Sequence, residues 1–195
     1  LDIVSGSYED DAIAWYENNL AAFGTHSFTA ADIATSADGA RDVIAADLDS
    51  DGDLDVISAS FGDDAIAWYE NDGAADPSFG AADIATSADG ATSVFVADLD
   101  SDGDLDIVSS SYNDDTIAWY ENDGAANPSF SAANIATSAD GATSVFVADL
   151  DSDGDLDIIS SSYLDDAIAW YENDGAADPS FGAADIATSA DGAYS

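Results

Sequence analysis

The segment Ala-Asp-Leu-Asp-Ser-Asp-Gly-Asp-Leu-Asp at residues 97–106 decides the fold, and it occurs again at residues 46–55 and 148–157. Apolar runs rich in β-branched residues flank the central copy, Val94-Phe95-Val96 before it and Ile107-Val108 after it. Such runs are typical of strands, whereas aspartates around a glycine are typical of a loop. The sequence therefore predicts an acidic loop between two β-strands, in three copies.

Other segments recur with the same period. Ile-Ala-Trp-Tyr-Glu-Asn occurs four times, and the spacings between its tryptophans, Trp15, Trp68, Trp119 and Trp170, are 53, 51 and 51 residues. Ile-Ala-Thr-Ser-Ala-Asp-Gly-Ala begins at residues 33, 84, 135 and 186. A fixed period of this length indicates a repeat protein. We expect a partial unit at 1–39, full units at 40–90, 91–141 and 142–192, and the start of another at 193–195.

One unit is interpreted as four short antiparallel strands, at 93–97, 107–112, 116–121 and 132–137. Apolar side chains alternate onto both faces, as Val94 and Phe95 do, which is typical of a sheet packed between two neighbours. Four strands in about 50 residues is the size of a propeller blade. We therefore expect an all-β fold of β-propeller blades; a β-sandwich of four hairpins is the alternative. Because the chain starts and stops within units, we expect a fragment of a longer array or propeller.

The charge of the chain limits its partners. It has 42 acidic residues against one basic residue, Arg41, and a net charge of -41. Such a surface repels nucleic acid and anionic membranes. No apolar run approaches the roughly 20 residues of a membrane helix, so we expect no membrane insertion. Cysteine is absent, so no disulfide holds the fold. If any group cross-links the chain, we expect it to be a metal ion.

The acidic loops have the spacing of a calcium site. Each reads Asp-x-Asp-x-Asp-Gly-x-x-Asp, which offers carboxylates at positions 1, 3, 5 and 9 and a backbone carbonyl at position 7 around one centre. The alternatives are a helical EF-hand, which needs a Glu at position 12 where the second loop has Ser109, and a solvated acidic turn without metal. We expect one calcium ion in each loop. The candidate metal residues are Asp47, Asp49, Asp51, Asp53 and Asp55; Asp98, Asp100, Asp102, Asp104 and Asp106; and Asp149, Asp151, Asp153, Asp155 and Asp157.

With these motifs, the unit resembles the FG-GAP/VCBS-type repeat, a calcium-loop β-propeller blade similar to those in integrin alpha-subunit heads and in many secreted microbial and algal proteins. The resemblance covers the whole chain, and the acidic loop is its most specific part. It implies a calcium-stabilised module of a secreted or cell-surface protein. Members of the family usually close with seven blades, so the resemblance also implies further repeats, from the same or another chain, as partners.

The repeat argues against catalysis. Glu17, Glu70, Glu121 and Glu172 occupy one repeat position, whereas a catalytic group is usually singular. One histidine, His26, and no lysine or cysteine leave little for nucleophilic chemistry. We expect a non-catalytic structural or adhesive module, as in an extracellular filament or appendage. The alternative is a carbohydrate-binding propeller attached to a larger extracellular enzyme or adhesin, with glycans or surface proteins as partners. In the first case the aromatic residues pack in the core; in the second they form a sugar platform.

Overall fold

The computed structural model describes residues 2–20 and 26–194, with the side chains of Leu20 and His26 excluded. Leu1, residues 21–25 and Ser195, which the predicted unit bounds include, lie outside this description. Within the described residues, fifteen strands form four antiparallel sheets. The predicted all-β fold of repeated blade-like sheets is confirmed.

Each sheet is built from consecutive strands. Sheet A has three described strands, β1 (Ile3–Ser7), β2 (Ala12–Leu20) and β3 (His26–Ala34). Sheet B has β4 (Ala40–Ala46), β5 (Asp55–Ser60), β6 (Ala65–Asn71) and β7 (Phe79–Ala85). Sheet C has β8 (Ala91–Ala97), β9 (Asp106–Ser111), β10 (Thr116–Asn122) and β11 (Phe130–Ala136). Sheet D has β12 (Ala142–Ala148), β13 (Asp157–Ser162), β14 (Ala167–Asn173) and β15 (Phe181–Ala187).

The strand bounds differ from the predicted ones by one or two residues in most cases. The second strand of sheet C ends at Ser111, not at residue 112, because the Tyr112 N–H donates to the carbonyl of Gly90 in the connection between sheets. The fourth strand begins earlier than predicted, at Phe130, which pairs with Asn122. The same strand also begins at a phenylalanine in sheets B and D.

The hydrophobic cores lie between the sheets. Between sheets B and C, Ile57 and Trp68 pack against Val94, Ile107 and Tyr120, and all five side chains are buried. Equivalent clusters fill the space between sheets A and B and between C and D. Because each sheet uses both faces, a unit buries its apolar groups only when it has neighbours. Fourth strands such as β11 are mostly exposed and form the outer rim.

Hydrogen bonds join the first strands of neighbouring sheets. The Thr92 hydroxyl of β8 donates to the carbonyl of Ala142 of β12 at 3.0 Å. Between sheets B and C the Asp42 carboxylate has this function and accepts from the Ser93 hydroxyl at 2.8 Å and from the Val94 N–H at 3.0 Å. The first strands therefore converge at the centre of the stack, as blades do around a propeller axis.

A repeated aspartate fixes each connection between sheets. Asp64 ends the turn between the second and third strands with a φ of 57°. Its carboxylate accepts from the Gly90 N–H at 2.9 Å, and its carbonyl accepts from Ala88. Asp11, Asp115 and Asp166 make the same pair of bonds in the other units. A short side chain that tolerates positive φ suits this position. Among the described residues, no helix has the length and hydropathy to span a membrane.

The cores between stacked sheets predict that two isoleucines contribute very differently to the free energy of unfolding. Ile117 of β10 is 0% exposed and Ile186 of β15 is 57% exposed. Ile117→Ala removes buried methyl groups and leaves a cavity, so we expect the free energy of unfolding to fall by about 2–5 kcal/mol. Ile186→Ala is the matched control, with an expected change within about 0.5 kcal/mol. Urea unfolding measures both; equal losses would contradict a core between stacked sheets.

Candidate metal centres

The three acidic loops connect the first strand to the second in sheets B, C and D. In an antiparallel meander this connection and the one between strands three and four lie at the same end of the sheet. The contact between Asp104 of the acidic loop and Gly124, which follows β10, is consistent with this arrangement. The aspartates of the connections between sheets, such as Asp64, are at the opposite end. Sheets B, C and D therefore each have one loop-rich end that carries a candidate metal centre.

The first three aspartates of each loop form a compact cluster. In every loop, one carboxylate oxygen from each of positions 1, 3 and 5 lies within 4.8 Å of the other two. The clusters are Asp47, Asp49 and Asp51; Asp98, Asp100 and Asp102; and Asp149, Asp151 and Asp153. The sequence prediction that these side chains meet at one centre is confirmed. Three convergent carboxylates are the donor set that a hard cation prefers.

The backbone of the loop is folded around the first aspartate. In the second loop the Gly103 N–H donates to Asp98 Oδ2 at 3.1 Å, and the Asp104 N–H donates to Asp102 Oδ1 at 2.9 Å. Ser101 and Gly103 have φ values of 61° and 102°. Only glycine adopts the second of these values without strain. These hydrogen bonds support the conformation of the loop, and the glycine at position 6 is needed for its turn.

The charges of the cluster repel one another. Burial raises the pKa of the Asp100 carboxyl, and the negative charges of Asp102, Asp98 and Glu121 raise it further. Asp98 Oδ1 is buried and has no hydrogen-bond partner within the described residues. A buried carboxylate oxygen without a donor is costly, and a bound cation would supply the missing partner and reverse the effect of the neighbouring charges. The residues present therefore fit a metal ion.

The ninth aspartate of each loop is buried. Asp106, the last residue of the loop, is also the first residue of β9, and it is 1% exposed. Its Oδ2 accepts from the Leu99 N–H at 3.1 Å and its Oδ1 from the Asn122 N–H at 2.8 Å. Asp55 and Asp157 make the equivalent bonds. Each oxygen keeps a second lone pair, so Asp106 remains a predicted ligand, but it is not among the clustered carboxylates.

Burial has the largest effect on the pKa of the Asp106 carboxyl. It raises the pKa of the Asp106 carboxyl from 3.8 to about 6, and the charge of Asp100 adds to the rise. The N–H groups of Asn122 and Leu99 oppose it. The indole Nε1 of Trp119 is buried without a hydrogen-bond partner in the described part of the chain. It lowers the pKa of the Asp106 carboxyl less than the N–H groups of Asn122 and Leu99 do. The carboxylate is thus held by the backbone in a poorly solvated site.

The seventh aspartate was expected to contribute its backbone carbonyl. Its side chain lies against the glycine that follows the third strand: Asp53 against Gly73, Asp104 against Gly124 and Asp155 against Gly175. These glycines have φ values between 64° and 66°. The positive φ favours glycine, and a side chain there would also have to displace the carboxylate. The backbone carbonyl of this aspartate stays a predicted metal ligand.

Sequence reasoning missed the asparagine at the end of the third strand. The predicted third strand ended at residue 121, whereas the structure includes Asn122 in β10. Its side chain is 2% exposed and donates to the carbonyl of Leu105 in its own loop at 3.0 Å. The signal was present in the sequence, because the asparagine recurs in every Trp-Tyr-Glu-Asn segment.

The remaining unusual side chains do not belong to the metal centres. Trp68 and Trp119 are each 4% exposed and pack in the core as predicted, whereas Trp15 and Trp170 are half-buried. Arg41 packs its guanidinium over the rings of Phe61, at 4.1 Å from the centroid, and Tyr8, at 5.3 Å. The side chain of His26 lies outside the described residues.

Comparison with known families agrees with this geometry. A family model described as FG-GAP-like repeat matches the chain three times, at residues 1–58, 47–109 and 98–160. The first two acidic loops lie in the overlaps between successive matches, and the third loop lies within the last match, so each loop is part of the matched pattern. A search of curated proteins found no match. No catalytic domain was matched.

The two hydrogen bonds that the buried Asp106 carboxylate accepts can be tested by substitution. Asp106→Asn replaces one of its two acceptor oxygens by an N–H₂ group, so one buried backbone N–H loses its partner. We expect the free energy of unfolding to fall by about 1–3 kcal/mol, measured by urea unfolding in calcium-free buffer. Asp178→Asn is the matched control, because Asp178 is exposed and the third unit has Asn127 at the same repeat position. Equal stability of the two variants would show that the pairing is dispensable.

Proposed function

The chain belongs to the FG-GAP-like repeat family, and on this basis we propose that it is a calcium-stabilised, non-catalytic repeat module of a secreted or cell-surface protein, with a structural or adhesive role. The observation that carries the proposal is the threefold recurrence of one aspartate cluster at the same end of three stacked sheets. One such cluster can be a solvated turn, but three identical ones point to a shared ligand.

The chemistry of the cluster favours calcium. Calcium takes about six to eight oxygen ligands in flexible geometry. Each loop offers three clustered carboxylates, a nearby ninth aspartate and backbone carbonyls. We propose Asp98, Asp100, Asp102 and Asp106 as side-chain ligands in the second loop, with the carbonyl of Asp104. The orphaned oxygen of Asp98 supports this set, because it has no other partner in the described residues.

The proposed role of the ion is structural. Each loop joins two strands of one sheet, and the carboxylates at positions 1, 3 and 5 repel one another without a counter-charge. An ion that binds the folded loop better than the unfolded chain adds its binding free energy to folding. The recurrence of the carboxylate cluster in all three complete units supports such a role over a catalytic one, since a catalytic group is usually singular.

We propose further repeats of the same kind as the main partner. Leu48 and Leu99, at position 2 of the first two loops, are each 2% exposed because the following sheet covers them, whereas the equivalent Leu150 is 45% exposed. Phe146 on the same open face of sheet D is 53% exposed, and the equivalent Phe95 packs on Phe146 itself. Another blade has the shape and pattern to cover this face. Glycans or surface proteins are the partners proposed for the assembled module.

Calcium binding and removal test the proposal directly. We expect calorimetric titration to give three ions per chain, because three clusters are present. At calcium of about 100 times Kd, each site adds about 2.7 kcal/mol to stability, so chelation should lower the thermal midpoint. Asp98→Asn with Asp100→Asn should reduce the stoichiometry to two. Asp76→Asn with Asp178→Asn removes the same charge from exposed loops and should leave it at three. Absence of bound calcium, or equal midpoints with and without chelator, would contradict the proposal.

The proposed extracellular location predicts weak sites. Two clusters are half-buried and the third is exposed, so water competes with the carboxylates for the ion. We expect dissociation constants of about 10⁻⁴–10⁻³ M, the range of extracellular calcium modules. Titration with a calcium-sensitive electrode at physiological salt measures them. Micromolar or tighter binding at every loop would fit a cytosolic protein and would contradict this location.

A further inference from the structure

One buried asparagine joins two acidic loops. The side-chain nitrogen of Asn122 donates one hydrogen bond to the carbonyl of Leu105, at position 8 of its own loop, and a second to the carbonyl of Leu48, at position 2 of the loop in the preceding sheet. Both distances are 3.0 Å. Leu48 and Asn122 are 74 residues apart, so the second bond depends on the stacking of the sheets. A single amide group thus bridges two candidate calcium loops.

The bridge recurs at the next interface. Asn173 donates to the carbonyl of Leu156 in its own loop at 3.0 Å and to that of Leu99 in the preceding loop at 2.9 Å. Asn122 and Asn173 are each 2% exposed. Their Oδ1 atoms accept from Gly124 and Gly175 at 3.0 Å. The orientation of each amide is therefore fixed by three partners, and neither amide can turn away from the loops without leaving buried polar groups unpaired.

The bridges are continuous with the buried aspartates. The Asn122 N–H donates to Asp106 Oδ1, and Asp106 Oδ2 accepts from the Leu99 N–H. The carbonyl of Leu99 accepts from Asn173, whose own N–H donates to Asp157. The hydrogen bonds therefore run through all three loops, along Leu48, Asn122, Asp106, Leu99, Asn173 and Asp157.

We propose that Asn122 and Asn173 couple the calcium loops, so that the ions bind with positive cooperativity. This inference rests on the proposed function. Leu48 lies between two clustered aspartates of its loop, and Leu105 adjoins Asp106, so an ion that orders either loop also fixes a carbonyl on the bridge. The neighbouring loop then loses less freedom when its own ion binds. Linkage makes the effect reciprocal, because each ion raises the affinity of the adjacent loop by the same factor.

The chain contains its own matched control. Asn71 occupies the same repeat position in sheet B, and it makes the bond to its own loop, at 3.0 Å to the carbonyl of Leu54. Within residues 2–20 and 26–194 it makes no bond to a second loop. Removing the Asn71 side chain therefore disturbs one loop, whereas removing that of Asn122 disturbs the connection between two loops as well.

The unaltered protein provides the first test. We expect the calorimetric calcium isotherm to be cooperative, with a Hill coefficient above 1 and a later stepwise constant at least about fivefold tighter than independent sites would give. Three ions that bind with independent affinities would overturn the coupling and leave the calcium proposal intact. No calcium binding at all would overturn the calcium proposal first. The two failures are therefore distinguishable.

A two-loop background locates the coupling. Asp151→Asn with Asp153→Asn disables the third loop and leaves the loops at 47–55 and 98–106. In this background the two ions should still bind cooperatively. Asn122→Ala should reduce the Hill coefficient to 1, whereas Asn71→Ala should weaken the first loop and keep the cooperativity. Persistence of cooperativity in Asn122→Ala, or its loss in Asn71→Ala, would overturn the assignment.

The second interface provides an independent copy of this experiment. Disabling the first loop with Asp49→Asn and Asp51→Asn leaves the loops at 98–106 and 149–157, which Asn173 bridges. Asn173→Ala should abolish cooperativity in that background. Circular dichroism of each variant verifies that the sheets are present. If an asparagine variant does not fold, the isotherms of the unaltered protein and of the two two-loop backgrounds still decide whether neighbouring loops are coupled.

Discussion

The pairing of the buried ninth aspartate with two backbone N–H groups is the constraint on which the rest of the structure depends. Asp106 fixes the start of the acidic loop through Leu99 and the end of the third strand through Asn122. It therefore holds two connections of the sheet together at one end, where the aspartate cluster forms. Because the carboxylate is poorly solvated and its pKa is raised to about 6, the pairing must stay intact for its burial to be tolerated. The loop, the strand end and the bridge to the next sheet are all positioned from this one group.

The strong preference for aspartate over glutamate follows from several roles that need a short carboxylate. In the acidic loops, aspartates form the three candidate metal clusters. At the opposite end of the sheets, Asp64 and its equivalents adopt positive φ and accept from the glycine of the next connection. A third set, which includes Asp123, closes the loop after the third strand by accepting from the hydroxyl and N–H of Ser129. The extra methylene group of glutamate would place the carboxylate too far out to accept from these nearby backbone groups. The acidity of the chain is thus largely a consequence of how its turns are built.

The fold could be predicted from the sequence because its signals are local and repeated. The alternation of apolar residues, the period and the spacing of the loop aspartates predicted the all-β repeated sheets and the clusters at positions 1, 3 and 5. Two features could not be predicted in this way. Asp106 carries the same side chain as the loop aspartates, and only the pairing of β8 with β9 shows that it is buried at the start of a strand. Asn122 bonds to a residue 74 positions away, and periodicity alone predicts that units stack without saying which atoms meet.

The interfaces between sheets show which parts of the unit tolerate change. On the inner strands, the Thr-Ser pair of sheets C and D is replaced in sheet B by Arg41 and Asp42. Asp42 still supplies a bond to the next sheet, and Arg41 packs on aromatic rings instead. Different side chains thus join neighbouring first strands through different partner atoms. At the loop end, by contrast, the aspartate, leucine and asparagine positions are identical in all three complete units. An inner-strand contact involves two neighbouring strands, so a local substitution can restore it. A loop-end contact involves two loops and a strand end together, so no single substitution can restore all of its partners.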